Sequence, residues 1–367
     1  MTERHTTLSE FILEQQRRSP GATGSLSSLL NAIRLSCKRT AALIAEGTTL
    51  AQASLPLPNF EDTPDTTREL RPAAAVALET AANTAFLRTL EAGGNLAGML
   101  SGELDEPYAI PEAYPRGQYL IAFDPLDGSA HLDINVPTGS IFSVLRAPNG
   151  AEAAKAADFL QPGTSQVAAG YAMYGPATMI VLTVGRGVQG FTLNRALGEF
   201  LLTHRDMRIH EETRDFAVNA SDARSWETPV QRYIDECVQG KTGPRGRDFN
   251  MRWTASPVAE LHRTLVRGGV FMYPADTRDA AREGRLRILC EANAMAMLVE
   301  QAGGAASTGR GRLLDLTPHE LHQRAPGILG SREEVERLER YHQEHDDGLD
   351  RAFTSPLFNE RSLFPRR

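Results

Sequence analysis

"YLIAFDPLDGS", residues 119–129, runs from an apolar stretch into two aspartates, Asp124 and Asp127, and closes on Gly128 and Ser129. Tyr119 to Phe123 reads as a buried strand that delivers Asp124 at its end. Pro125 and Gly128 are expected to force a turn there. Two carboxylates on a tight turn suit Mg²⁺ or Mn²⁺, hard cations that take oxygen ligands and incomplete protein cages. The turn also bares the Leu126 carbonyl and presents the N–H groups of Gly128, Ser129 and Ala130 to an anion. Phosphate bridging metal and backbone donors is a natural occupant. Taken alone, DxxDG reads first as an Asp-rich solvated turn.

Other carboxylates occupy matching settings. Glu103 in "SGELDEP" lies in a polar loop just before the same strand, and Glu79 lies on the helix before that loop. Glu291 opens the late helix "CEANAMAMLVEQAGG" after the strand "GRLRIL". Each Glu by itself would pass for a solvated surface residue.

The rest of the chain gives an order of elements. "LSSLLNAIRLSCKRTAALIAEG" repeats apolar residues at helical spacing and is expected to stop at Gly47. "NFEDTPDTTRELRP" reads as a polar loop, and "AAAVALETAANTAFLRTLEAGG" as a second helix. Strand-like runs follow up to "GEFLLTH", and after about residue 210 helices and strands alternate. That order predicts a layered α/β protein with two sheets. A boundary near residue 205 gives an N-terminal domain 1–205, a C-terminal domain 206–345 and a loose tail 346–367. "GRGVQG" (Gly185 to Gly190) fits a dinucleotide-binding pattern, but "FTLN" follows it where a helix is required. It reads as a hairpin turn instead. The sequon at Asn219 has no meaning without secretion.

Bulk properties narrow the function classes. Among 367 residues, 39 basic against 46 acidic side chains argue against a nucleic-acid surface. Three dispersed cysteines, Cys37, Cys237 and Cys290, fit no zinc or disulfide framework and point to a reducing compartment. The N-terminal stretch has no apolar h-region, and no window reads as a membrane span. A cytoplasmic protein is expected.

Residues from about 7 to 345 resemble class I fructose-1,6-bisphosphatase, of the metal-dependent, lithium-sensitive sugar phosphatase superfamily. The stretches that carry the resemblance are "FDPLDGS", "GSIFSVLR", "GYAMYGPATMIVLTVGRGVQGFTLN", "GEFLLTH", "AELHRTLVRGGVFMYPA" and "LHQRAPGILGS". It implies alternating α-β-α-β-α layers and hydrolysis of the 1-phosphate of fructose 1,6-bisphosphate, in gluconeogenesis or the Calvin cycle. It makes Glu103, Asp124, the Leu126 carbonyl, Asp127 and Glu291 the ligands of Mg²⁺, with Mn²⁺ as the other candidate. Glu79 stands where the family has an Asp that helps activate the attacking water. Gly128 and Ser129 face the reacting phosphate. Asn219, Arg252 and Tyr273 match residues holding the 6-phosphate, Arg252 acting across a dimer interface within a homotetramer. Arg285 stands at an active-site Lys, and Trp253 replaces a Tyr. The bland alternatives are a core Tyr273 and exposed strand charges at Arg285 and Arg287.

Several motif positions depart from the family. Ser129-Ala130-His131 replaces Ser-Ser-Asn, and Val76-Ala77-Leu78-Glu79 replaces Lys-Lys-Leu-Asp. Asn219-Ala220-Ser221 replaces Asn-Glu-Gly, and Cys290-Glu291-Ala292-Asn293-Ala294 replaces Tyr-Glu-x-Asn-Pro. Only Glu103 remains of a Glu-Glu pair, with Gly102 or Leu104 in the other slot. The resemblance also suggests AMP as an effector near Thr23, Gly24, Tyr119 and Arg146, with Gln118 in place of a Lys weakening phosphate attraction. The enzymatic rival is sedoheptulose 1,7-bisphosphatase, alone or as a dual activity. The rival of another class is a non-catalytic phosphosugar-binding paralogue. An inositol-phosphatase-like activity ranks lower, because the C-terminal half follows the fructose enzyme.

Overall fold

The computed structural model describes residues 6–18, 22–52, 73–275, 277 and 284–349. The polar stretch 59–72 and the tail from residue 350 lie outside the described residues. Helix α1 (Leu8–Arg17) starts at a capping box, in which Thr7 and Glu10 satisfy each other's backbone N–H groups. Helix α2 (Ser25–Gln52) does not stop at Gly47 but continues through it. A glycine inside a helix costs only about 1 kcal/mol, which the rest of a long helix outweighs. Helix α3 (Ala73–Leu90) follows.

These helices cover one face of a large sheet. Its strands are β1 (Leu96–Ser101), β2 (Tyr108–Ala109), β3 (Tyr119–Asp127), β4 (Thr138–Arg146), β5 (Gln166–Tyr174), β6 (Thr178–Thr183), β7 (Val188–Asn194) and β8 (Glu199–Met207). They lie in the order β2-β1-β3-β4-β5-β6-β7-β8, with β1 parallel to β3 and the other neighbours antiparallel. Leu29, Ile33, Phe86, Phe123, Phe142 and Phe191 form the core between helices and sheet. Gly185 and Gly187 sit at positive φ in the β6–β7 hairpin, so "GRGVQG" is the turn its continuation predicts. A short helix, α4 (Ala156–Phe159), links β4 to β5.

The C-terminal half adds a smaller sheet. Its strands are β9 (Asp215–Ala217), β10 (Asn250–Met251), β11 (Val270–Tyr273), β13 (Ala305–Ser307) and β15 (Gly327–Gly330), in the order β10-β9-β11-β15-β13. A separate pair joins β12 (Leu286–Arg287) to β14 (Arg324–Ala325). Helices α6 (Pro257–Arg267) and α7 (Asn293–Gln301) are buried between the two sheets, against Ile141, Tyr171, Phe271 and Leu329. Helices α5 (Thr228–Gln239) and α8 (Arg332–Asp346) cover the outer face of the small sheet through Tyr233, Leu338 and Tyr341. The result is the α-β-α-β-α layering expected, with α6 and α7 as the shared middle layer.

Candidate active site

The turn expected at Pro125 is a bulge instead. Strand β3 runs on to Asp127, and its register against β4 shifts between Asp124, opposite Ile141, and Asp127, opposite Gly139. Three steps on one strand therefore match two on the other. Residues three apart on a regular strand face opposite sides, and the extra residue returns both carboxylates to one side. Gly128 follows at φ 75°, a left-handed conformation that favours glycine, and opens a single 3₁₀ turn over Ser129–His131. The Leu126 N–H donates to Asp124 Oδ1 at 3.0 Å, and the Ser140 hydroxyl donates to the Pro125 carbonyl at 2.6 Å. Behind Ser140 stands the Tyr174 hydroxyl at 2.7 Å, so the bulge is anchored through two further strands.

Glu79 on α3 reaches this turn from the other side. Its Oε1 accepts the Ser129 hydroxyl at 3.0 Å across 50 residues of chain, and both residues are buried. Helix α6 arrives opposite and donates the Val258 N–H to Asp127 Oδ2 at 2.9 Å. His131 is half-buried at the end of the 3₁₀ turn.

Glu291 comes from the turn that leads into α7. "GRLRIL" is not a full strand: β12 ends at Arg287 and the chain winds into one π-helical turn, Ile288–Ala292, before α7. The wide turn folds the Glu291 carboxylate back to accept the Arg287 N–H at 3.2 Å. Burial first, and the Glu291 charge second, push Asp124 up to about 7. Burial, then the Asp124 and Glu291 charges, hold Asp127 well above the usual carboxylate range. Burial raises Glu291 as well. The Glu291 charge thus acts on both aspartates, and the Asp124 charge on Asp127, an excess of buried negative charge that a divalent cation bound between them would offset.

The sequence reading missed the cation already there. Arg287 is not an exposed strand charge: its Nη1 lies 3.9 Å from Glu103 Oε1 and 4.0 Å from Glu291 Oε1. Burial works against its charge, but the Glu291 and Asp124 charges outweigh that and raise its pKa. The guanidinium lies over Gly102, where an added Cβ would meet Nη1 at 2.3 Å. Gly102 is not at positive φ, so space, not backbone conformation, is what calls for glycine there. Among the described residues no three carboxylate, thiol or imidazole groups are close enough to form a ready metal cage. Arg287 stands between Glu103 and Glu291.

The sugar-phosphate candidates divide. Asn219, Tyr273 and Arg285 line one cavity with Asp222 and Trp226. Arg252 does not line it; its side chain is exposed, and its backbone N–H donates to the Phe216 carbonyl. Trp253 packs edge-on against Tyr273, ring centres 5.4 Å apart. Asp222 is the second residue that sequence reading passed over. Its Oδ2 accepts from Asn219 Nδ2 at 3.0 Å and is 2.9 Å from Arg285 Nη2. A separate cavity of about 230 Å³ between α1, α2 and β3 is lined by Phe11, Thr23, Gly24, Tyr119 and Arg146.

Comparison with known proteins covers nearly all of the chain. Residues 6–205 match the family model "Fructose-1-6-bisphosphatase, N-terminal domain", and residues 209–343 match "Fructose-1-6-bisphosphatase, C-terminal domain". A relative named fructose-1,6-bisphosphatase class 1, from Hydrogenophilus thermoluteolus, is 54% identical over 99% of both chains. One of the same name from Methylacidiphilum infernorum is 51% identical, also over 99% of both. The crystal structure of Leishmania major fructose-1,6-bisphosphatase in holo form superposes with a TM-score of 0.80 at 35% identity, covering 92% of this chain and 100% of the other.

Proposed function

The chain belongs to the fructose-1,6-bisphosphatase family, and on that premise we propose that it hydrolyses the 1-phosphate of fructose 1,6-bisphosphate, giving fructose 6-phosphate and phosphate. The observation that carries this reading beyond the resemblance is the buried carboxylates Asp124, Asp127 and Glu291, whose charges raise the two aspartates, beside the Glu79–Ser129 hydrogen bond.

Glu103, Asp124, the Leu126 carbonyl, Asp127 and Glu291 would hold Mg²⁺, with Mn²⁺ as the alternative. A divalent cation there supplies Lewis-acid stabilisation of charge on the phosphoryl oxygens. Glu79, oriented by the Ser129 hydroxyl, takes a proton from the attacking water. The N–H groups of Gly128, Ser129 and Ala130 receive the oxygens of the reacting phosphate. Water's oxygen forms the new bond to phosphorus as the bond to the sugar oxygen breaks, and the leaving oxygen takes up a proton from solvent water. Asn219, Tyr273 and Arg285 form the distal pocket. Arg252 serves the pocket of a neighbouring copy, a role its exposed side chain supports. The proposed setting is cytoplasmic and homotetrameric, with AMP as a candidate ligand of the α1–α2 cavity.

Phosphate release from fructose 1,6-bisphosphate and from sedoheptulose 1,7-bisphosphate, each with Mg²⁺ and with EDTA, tests the reading. Release from the fructose substrate with Mg²⁺ alone supports it. No release from either, with a thermal shift still induced by sugar phosphate, would support the non-catalytic alternative.

A further inference from the structure

The distal cavity contains its own anion. Asn219 Nδ2 and Arg285 Nη2, the donors that a phosphate end of a sugar would seek, converge on one oxygen, Asp222 Oδ2, at 3.0 Å and 2.9 Å. The Asn219 Oδ1 accepts from Ser221 N at 3.2 Å and from Ser221 Oγ at 2.7 Å, which fixes the amide with Nδ2 on the Asp222 side. The Arg285 guanidinium lies 5.9 Å from the ring centre of Tyr273, which lines the same cavity. The Asp222 side chain is 14% exposed, so water screens this charge less than that of a surface carboxylate.

A carboxylate bound to an Arg fork and an amide N–H has the charge sign and acceptor geometry of a phosphate edge. We infer that Asp222 is a specificity-determining residue, a resident competitor that a distal phosphate must displace from Arg285 and Asn219. This inference rests on the proposed sugar-bisphosphate reading. The cost falls on ligands with an anionic distal end and not on those with a neutral hydroxyl there. Asp222 therefore weakens binding of the phosphorylated product and substrate relative to a pocket without it, and narrows the preference for a phosphate over a hydroxyl at that end. Asp222 sits in the turn Ala220–Ser225, whose neighbouring residues Ser221, Ala223 and Arg224 are exposed, so the side chain has room to leave.

Calorimetric binding of fructose 6-phosphate, which carries only the distal phosphate, tests the inference on the full chain. Asp222→Ala should bind it about tenfold more tightly than the parent, and Asp222→Asn by a smaller factor, because its amide oxygen still accepts a hydrogen bond. Fructose 1-phosphate, with a distal hydroxyl, should bind all three alike. In an Arg285→Met background the gain should disappear. Unchanged or weaker fructose 6-phosphate binding in both Asp222 variants overturns the inference, since a merely structural Asp222 would only lose affinity or melting temperature on removal. The catalytic reading is judged apart, by phosphate release from the parent. Tighter binding in the variants without any phosphate release from the parent would overturn that reading and leave this inference standing.

Discussion

The Val258 N–H donates to Asp127 Oδ2 at 2.9 Å, so a carboxylate of the large sheet caps a helix from the other half of the chain. Ser256 is the N-cap of that helix and Pro257 its first residue, so Val258 carries one of the free N–H groups of the first turn. The approach depends on Gly139: a Cβ there would lie 2.3 Å from the Ala172 carbonyl and 2.7 Å from the Val258 side chain. A glycine opposite Asp127 on β4 thus lets α6 descend, and the helix end then holds the aspartate.

Asp127→Asn should keep this contact, because the amide oxygen still accepts the Val258 N–H, while removing the charge proposed to bind metal. Turnover should fall at least about a thousandfold with stability within roughly 1 kcal/mol of the parent. Phosphate-release kinetics beside a thermal melt check both halves of that expectation.

Stability without metal should carry the mark of Asp124. Its folded pKa is pushed up to about 7, above the ordinary value of about 3.9, so the folded chain binds more protons between those limits. Its contribution therefore falls as pH rises from about 4 through about 7. In EDTA, Asp124→Asn should be more stable than the parent by roughly 1–3 kcal/mol near pH 8, with the gap closing toward pH 4. Paired urea titrations across that range cancel the other titrating groups. A constant gap would show that Asp124 does not titrate as described.

Arg287 and Gly102 should behave as one unit. Gly102→Ala puts a methyl group into the volume of the guanidinium, and Arg287→Met removes the charge. Each should lower kcat/KM by roughly tenfold or more, and the double variant should be little worse than either single one. Additive losses in that cycle would mean that the two positions act separately.

The outer layer depends on Glu334. It is fully buried and takes Arg245 Nη2 on both oxygens, at 2.5 Å and 2.8 Å, together with the Tyr233 hydroxyl at 2.8 Å. Glu334→Ala strands the buried Arg245 charge and should cost about 3–5 kcal/mol. A calorimetric melt should show Tm lowered by roughly 4–7 °C.

How much of this was legible in the sequence depended on whether a feature was local. The strand into Asp124, the α3 helix bearing Glu79 and the GRGVQG hairpin follow from periodicity and glycine placement alone. The bulge between Asp124 and Asp127 did not, because it is a register relation with β4 and "PLDG" resembles any turn. Helix α2 passes through Gly47 because one local penalty is small beside the rest of the helix. Arg287 read as a surface charge because the space it fills, over Gly102, is created by a residue 185 positions away in the chain. Asp222 escaped notice for a similar reason: its partner Arg285 lies on the far side of α5, α6 and β11.

The central claim is metal-dependent hydrolysis of a sugar bisphosphate at the Asp124–Asp127 bulge. Initial rates of phosphate release from fructose 1,6-bisphosphate, for the parent and Asp127→Asn, each with Mg²⁺ and with EDTA, test it most directly. The account predicts release only by the parent with Mg²⁺. Equal release in EDTA, or parent-like rates in Asp127→Asn, would contradict it.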